Sequence, residues 1–194
     1  PAFRYKQKKG IVTKTYEDLK KDSEAVSRGL ASLDMLGKHI AVIGPTTYEW
    51  IISYFGAVNS GCVAVPLDAS LPAADVCDLL NRADISVLVY DSLRKDVAKL
   101  AGETCPGICH TICMQAEEDT QDTKSLWRMI RENEGSFSCE LDPDKMCAIL
   151  FTSGTTGKSK GVMLTHRNLT DNATSLDMKI PAGSVSMTLL PIHH

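Results

Sequence analysis

Aromatic residues make up only 6% of this 194-residue chain: four Phe, two Trp and five Tyr. Proteins that grip single-stranded nucleic acid stack its bases on such rings, so this scarcity argues against that class. An excess of basic charge is missing as well. Twenty-one Lys+Arg face 24 Asp+Glu, for a net charge of −3 at pH 7. That balance excludes a strongly basic nucleic-acid binder, and equally an acidic disordered tail. Long hydrophobic runs are absent too. The longest uncharged stretch, residues 50–67, is interrupted by Asn59, Ser60 and Gly61 and ends next to Pro66. It divides into a helix-length and a strand-length piece, neither able to cross a bilayer. The opening Pro1-Ala2-Phe3-Arg4-Tyr5 has no signal-peptide core. We read it as a cut or processed end, and expect a cytoplasmic protein with no integral membrane segment and no nucleic-acid partner.

Seven cysteines are present, at 62, 77, 105, 109, 113, 139 and 147. An odd number without a secretion signal favours reduced, mostly buried thiols. Cys105, Cys109 and Cys113, with His110 among them, have a spacing that invites a metal reading. Structural zinc sites, however, bring ligands as close pairs with a second distant pair, which this sequence lacks. The segment His110-Thr111-Ile112-Cys113-Met114 reads instead as a strand, with Cys acting as a small hydrophobe. Asn168 and Asn172 begin glycosylation sequons that a cytosolic chain would leave unmodified.

Hydrophobic residues are 43% of the chain, and a chain of this mass buries roughly 70% of its extended surface on folding. Residues 3–15 predict a hairpin around a basic Lys6-Gln7-Lys8-Lys9-Gly10 tip, most simply a solvated turn. Thr15-Tyr16-Glu17-Asp18 resembles a capping box that opens a helix to about Leu33, with Leu19, Val26, Leu30 and Leu33 on one face. Strands and helices then alternate. Strands are expected at 38–44, 62–67, 85–90, 109–114 and 146–151, and helices at 47–59, 72–83, 92–101 and 125–133. Residues 117–122 form an acidic loop, read as solvated. Several strands are continuous β-branched runs, as in a parallel sheet covered on both sides. The fold class is therefore α/β: a doubly wound, mostly parallel sheet with helices on both faces. We take 1–194 as one α/β domain, in which 1–36 and 183–194 could fall to a neighbouring subdomain.

One segment carries chemistry. Between Thr152 and Gly161, five hydroxyl residues, three glycines and two lysines occupy ten positions with no apolar side chain. Strand-like sequences bracket it, 146–151 before and 161–164 after, so it is no linker. Glycines permit positive φ, which lets consecutive N–H groups converge on an anion. Hydroxyls add donors, and lysines offset phosphate charge. A Walker A loop has the pattern G-x-x-x-x-G-K-[ST], and Gly157-Lys158-Ser159 fits its tail. Its first glycine would fall at position 152, which is Thr. A P-loop-type kinase or NTPase is thus the weaker alternative, and a non-catalytic interaction domain that kept the fold is another.

The segment Phe151-Thr152-Ser153-Gly154-Thr155-Thr156-Gly157-Lys158-Ser159-Lys160-Gly161 closely resembles the signature of the AMP-forming adenylating enzymes, Y/F-T-S-G-T-T-G-x-P-K-G. The one departure is Ser159, where the family usually has the stiffer proline. The likeness continues in residues 162–169, 38–50 and 61–68 and in Leu190-Pro191-Ile192-His193-His194, and so covers about residues 13–194. Tyr48-Glu49-Trp50 and Pro66-Leu67-Asp68 look most like the fatty acyl-CoA synthetase branch.

The resemblance implies an ATP-dependent ligase with coenzyme A as co-substrate and Mg²⁺ accompanying ATP. The acid is activated as an acyl-adenylate with release of pyrophosphate, and a thiol then displaces AMP. Thr152, Ser153, Gly154, Thr155, Thr156 and Gly157 would hold the β- and γ-phosphates. Lys158 and Lys160 would supply positive charge, although one of them could instead pair with a protein carboxylate. His194 would stand at the acyl-substrate wall beside the α-phosphate, whereas His193 and His166 are expected to be structural. The family's metal-binding glutamate, its adenine and ribose contacts, its hinge and its C-terminal lysine would all lie after residue 194. Residues 1–194 are therefore expected to be a segment of a longer enzyme, incomplete as a catalyst alone.

Overall fold

The computed structural model describes residues 1–7, 10–152, 159–175, 181 and 183–186. An antiparallel hairpin comes first, β1 (Phe3–Gln7) and β2 (Gly10–Lys14), in the register Tyr5↔Val12. Helix α1 (Tyr16–Ser32) begins with a true capping box. Asp18 N–H donates to the Thr15 hydroxyl at 3.0 Å, and Thr15 N–H donates back to the Asp18 carboxylate at 2.7 Å. Two donors that a helix start would otherwise leave open are thereby satisfied.

The strand–helix alternation follows in the predicted order: β3 (His39–Ile43), α2 (Tyr48–Asn59), β4 (Val63–Leu67), α3 (Ala73–Arg82) and β5 (Ile85–Tyr90). A 3-10 turn (Ser92–Arg94) leads into α4 (Lys95–Thr104), then β6 (His110–Cys113), β7 (Lys124–Ser125) and α5 (Leu126–Glu132). The described part ends with β8 (Met146–Thr152), β9 (Lys160–Thr165) and α6 (His166–Ser175). The seven main strands are ordered β7-β6-β5-β3-β4-β8-β9. All pairs are parallel except β8–β9. This is the doubly wound, mostly parallel sheet that the hydrophobic runs predicted.

Two apolar clusters cover the sheet. One holds Val26 and Leu30 of α1, Trp50, Ile52 and Ala57 of α2, and Met129 and Ile130 of α5. The other holds Val76, Leu79 and Leu80 of α3 with Val97 and Ala101 of α4. Strand side chains alternate between them: in β3, Ile40 and Val42 face the first cluster, Ala41 and Ile43 the second. The period of two along a buried strand produces this division.

The structure departs from the sequence reading in places, each with a physical cause. Ser23 and Ser27 of α1 are buried although serine reads as polar, because Ser27 Oγ donates to Gly56 O at 2.8 Å. Hydrogen-bonded small residues let α1 and α2 approach closely, so α2 buries Ile52 and Gly56. The helix expected at 92–101 starts as a 3-10 turn, capped by Asp91 Oδ1 accepting from Leu93 N–H at 2.9 Å, and its α-helical part runs on to Thr104. The acidic loop is partnered rather than simply solvated. Asp119 Oδ1 accepts from Ser125 N–H at 2.7 Å, and Glu118 lies 3.5 Å from both Arg128 and Arg131. These contacts position β7, a two-residue strand too short to show in the pattern.

Candidate functional site

Doubly wound sheets often bind ligands where successive connections leave toward opposite faces. Here that place lies between β3 and β5, because α2 follows β3 onto the first cluster and α4 follows β5 onto the second. Protein atoms fill it. Asp91 N–H donates to Ile43 O at 2.9 Å, and the Asp91 carboxylate accepts from Gln115 Nε2 at 2.7 Å. Gln115 Oε1 in turn accepts from Ser92 N–H at 2.7 Å. Gly44 has φ +157, and a Cβ there would come within 2.6 Å of Asp91 Cβ. The crevice is a closed polar joint.

The signature segment lies elsewhere in the chain, where β8 ends and β9 begins. β8 pairs with β4 at Ala64↔Ala148, and Pro66, two residues along β4, has no N–H with which to extend a ladder. β9 returns antiparallel to β8, pairing Ile149↔Met163, Leu150↔Val162, Phe151↔Gly161 and finally Thr152↔Lys160. This register sets the mouth of the loop. Thr152 and Lys160 face each other across its base, both exposed, with Thr152 Oγ1 3.5 Å from Lys160 O. Gly161 permits close strand approach, since a Cβ there would meet Ile149 Cγ2 at 3.1 Å and Phe151 Cε1 at 3.4 Å. Of the predicted phosphate-binding residues, the hairpin therefore brings Thr152 and Lys160 together. Ser153, Gly154, Thr155, Thr156, Gly157 and Lys158 lie outside the described residues, as do His193 and His194.

The structure adds Arg82, which the sequence reading passed over. This residue ends α3, and its Nη2 donates to Ser159 O at 2.6 Å. Its guanidinium also lies over the Phe151 ring, 5.7 Å from the centroid. Asp78, one turn earlier, holds Nη1 at 3.3 Å. The i,i+4 spacing of Asp78 and Arg82 is legible in the sequence, but a partner 77 positions away is not.

His166 begins α6, and its N–H donates to Lys145 O at 3.2 Å. The next residue fixes that helix to the loop before β8. Arg167 makes a two-pronged contact with Asp144, at 2.7 and 3.1 Å, which holds the Asp144 carboxyl below the usual carboxylate range. Of the three cysteines weighed as ligands, Cys105 is buried at the end of α4 near Cys77 O, Cys113 is buried in β6, and Cys109 is exposed.

The loop is followed by a strand. A Walker A loop instead runs from a strand into a helix whose N-terminal amides point at the phosphates. With β9 in that position, the nucleotide-kinase arrangement is not built here. Among the described residues no group of three or more His, Cys, Asp or Glu could hold a metal ion. No helix among them is long and apolar enough to cross a membrane.

Solved structures share this arrangement of strands and helices. One titled a putative long-chain-fatty-acid CoA ligase from Rhodopseudomonas palustris superposes with a TM-score of 0.83 at 18% identity, over 94% of this chain and 46% of that one. An anthranilate CoA ligase in complex with anthranoyl-AMP gives 0.74 at 21% identity, over 79% and 30%. At these identities the likeness is one of fold. In sequence, the long-chain-fatty-acid–CoA ligase 5 of Rattus norvegicus is 31% identical over 175 residues, 80% of this chain and 26% of its own length. A CoA ligase for a methyl-dioxo-octahydroindenyl propanoyl group from Rhodococcus jostii is 29% identical over 183 residues, 81% of this chain and 34% of its own. The chain thus spans about a third or less of these curated relatives, and they act on different acids. What they share with it is sequence likeness over about four-fifths of this chain. With the family match running from residue 1 to residue 194, the chain belongs to the AMP-binding enzymes.

Proposed function

We propose that this chain is part of an acid–thiol ligase that activates a carboxylic acid with ATP and passes the acyl group to coenzyme A. The observation that carries the reading is the signature loop, held between two paired strands by the Thr152↔Lys160 register. In the first step a carboxylate oxygen attacks the α-phosphorus of ATP. The bond from that phosphorus to the bridging oxygen breaks, giving acyl-adenylate and pyrophosphate. Negative charge grows on the departing pyrophosphate, so preorganised donors and cations are what the protein must provide. Thr152, Ser153, Gly154, Thr155, Thr156 and Gly157 supply amides and hydroxyls in this reading, and Lys158 and Lys160 supply charge. In the second step the thiol sulfur of coenzyme A attacks the acyl carbon and AMP leaves.

A fatty acid is our choice of substrate, supported by the Tyr48-Glu49-Trp50 and Pro66-Leu67-Asp68 segments and by the rat relative's name. His194 forms part of the acyl wall in the same reading. We take residues 1–194 as one domain of a cytoplasmic enzyme whose remaining binding groups belong to other segments.

Carboxylate-dependent exchange between ATP and pyrophosphate, measured on the full-length protein with short, medium and long fatty acids and aryl acids, tests the proposal. Exchange with a fatty acid is the expected result. A folded protein that exchanges with none of them would refute the ligase reading, and exchange with aryl acids alone would refute the fatty-acid branch.

A further inference from the structure

We propose that Arg82 is a positioning residue that clamps the exit of the signature loop and so stands in for the proline missing at position 159. The inference rests on reading that loop as the phosphate site. Three contacts converge on one guanidinium. Nη2 donates to Ser159 O at 2.6 Å, the group covers the Phe151 ring at 5.7 Å, and Asp78 holds Nη1 at 3.3 Å. Phe151 precedes the loop and Ser159 closes it, so one side chain grips both of its ends.

This grip has a purpose in the sequence. Proline at 159 would fix φ there, and serine leaves it free. A charge-assisted hydrogen bond to the carbonyl of the same residue restrains it from outside. The planar fork of arginine suits this task, because it can hold a carboxylate and a carbonyl at once while lying flat on a ring. The Asp78 contact is largely solvent-exposed, and such pairs add little stability. Its value is to orient the fork.

Arg82 also ends α3, where a positive charge suits the helix dipole. Arg82→Lys separates the two roles, since lysine keeps the charge and loses the fork. In the full-length protein, Arg82→Ala and Arg82→Lys should both raise KM for ATP by about 5- to 20-fold, the range for losing one partly exposed charge-assisted bond. KM for the acid should be unchanged. Adding Ser159→Pro to either variant should recover most of the loss, whereas a purely structural defect would not respond.

A second measurement does not depend on activity. Hydrogen exchange at residues 160–162, the first ladder positions after the clamp, should quicken about tenfold in Arg82→Ala and return toward wild type with Ser159→Pro. If the wild-type enzyme activated no acid, the functional reading would fail and the exchange experiment would still decide the clamp. Unchanged hydrogen exchange in Arg82→Ala, a wild-type KM for ATP in Arg82→Lys, or no recovery with Ser159→Pro would each overturn the proposal.

Discussion

The Tyr48 hydroxyl donates to Asp22 Oδ2 at 2.7 Å, joining the first turn of α2 to the middle of α1. The same carboxylate oxygen receives Lys14 Nζ at 3.1 Å, so the hairpin, α1 and α2 meet at one buried anion. Aromatic rings complete the joint. Tyr5 stacks on Tyr48 at 6.3 Å, Phe3 meets it edge-on at 5.9 Å, and the Lys14 ammonium sits 4.6 Å from its centroid. Burial, together with the Asp22 anion, pushes the Tyr48 hydroxyl well above the ordinary phenol range, so it remains a donor at any physiological pH.

Replacing Tyr48 by Phe keeps the ring and removes the donor. A hydrogen bond to a charged group is worth about 1.5–3 kcal/mol. Chemical denaturation should show a loss of that size, and an unchanged midpoint would mean that Asp22 is satisfied without Tyr48.

The α1–α2 contact leaves no room at Gly56. A Cβ there would lie 2.5 Å from Val26 Cγ1 and 3.1 Å from Ser23 O. Gly56→Ala should destabilise by about 1–3 kcal/mol through overpacking. Because the nearest atoms are Val26 Cγ1 and its Cβ, the latter at 2.6 Å, Gly56→Ala with Val26→Gly should cost less than the sum of the two single changes. Strict additivity in a double-mutant cycle would contradict this packing.

His110 provides a pH handle. Burial first, and then the charge of Lys124, lower its pKa from the ordinary 6.5. Below 6.5 the unfolded chain binds the proton more readily than the folded one, so stability falls as pH drops through that value toward the folded pKa. Above 6.5 neither state is protonated and the effect vanishes. Denaturation midpoints at pH 7.5 and 5.5 should differ less in His110→Gln than in wild type. An identical pH response in the two proteins would show that other groups set it.

For the loop, Thr155→Val and Thr156→Val in the full-length enzyme each remove a hydroxyl and keep the shape. Loss of one charge-assisted bond of about 1.5–3 kcal/mol corresponds to a roughly ten- to two-hundred-fold slower adenylation. Thioester formation from supplied acyl-adenylate should be spared. Single-turnover measurements of both steps separate the outcomes, and normal adenylation in both variants would remove these hydroxyls from the phosphate site.

Much of this molecule was legible in the chain, because the forces that set it act over short sequence distances. The Thr15–Asp18 box, the strand at 85–90 and the glycine-rich loop between strands each depend on a few neighbouring residues. The continuous β-branched runs of several strands also indicated a mostly parallel sheet covered on both faces. Tertiary structure alone decided what lies between distant segments. It ordered the strands β7-β6-β5-β3-β4-β8-β9, closed the β3–β5 crevice with Asp91 and Gln115, and buried Ser23 and Ser27. It also carried Ser159 to Arg82. A local pattern records how apolar a residue is and how its neighbours are spaced. Whether a serine finds a buried carbonyl, or an arginine a loop 77 positions away, depends on which surfaces meet when the helices pack on the sheet.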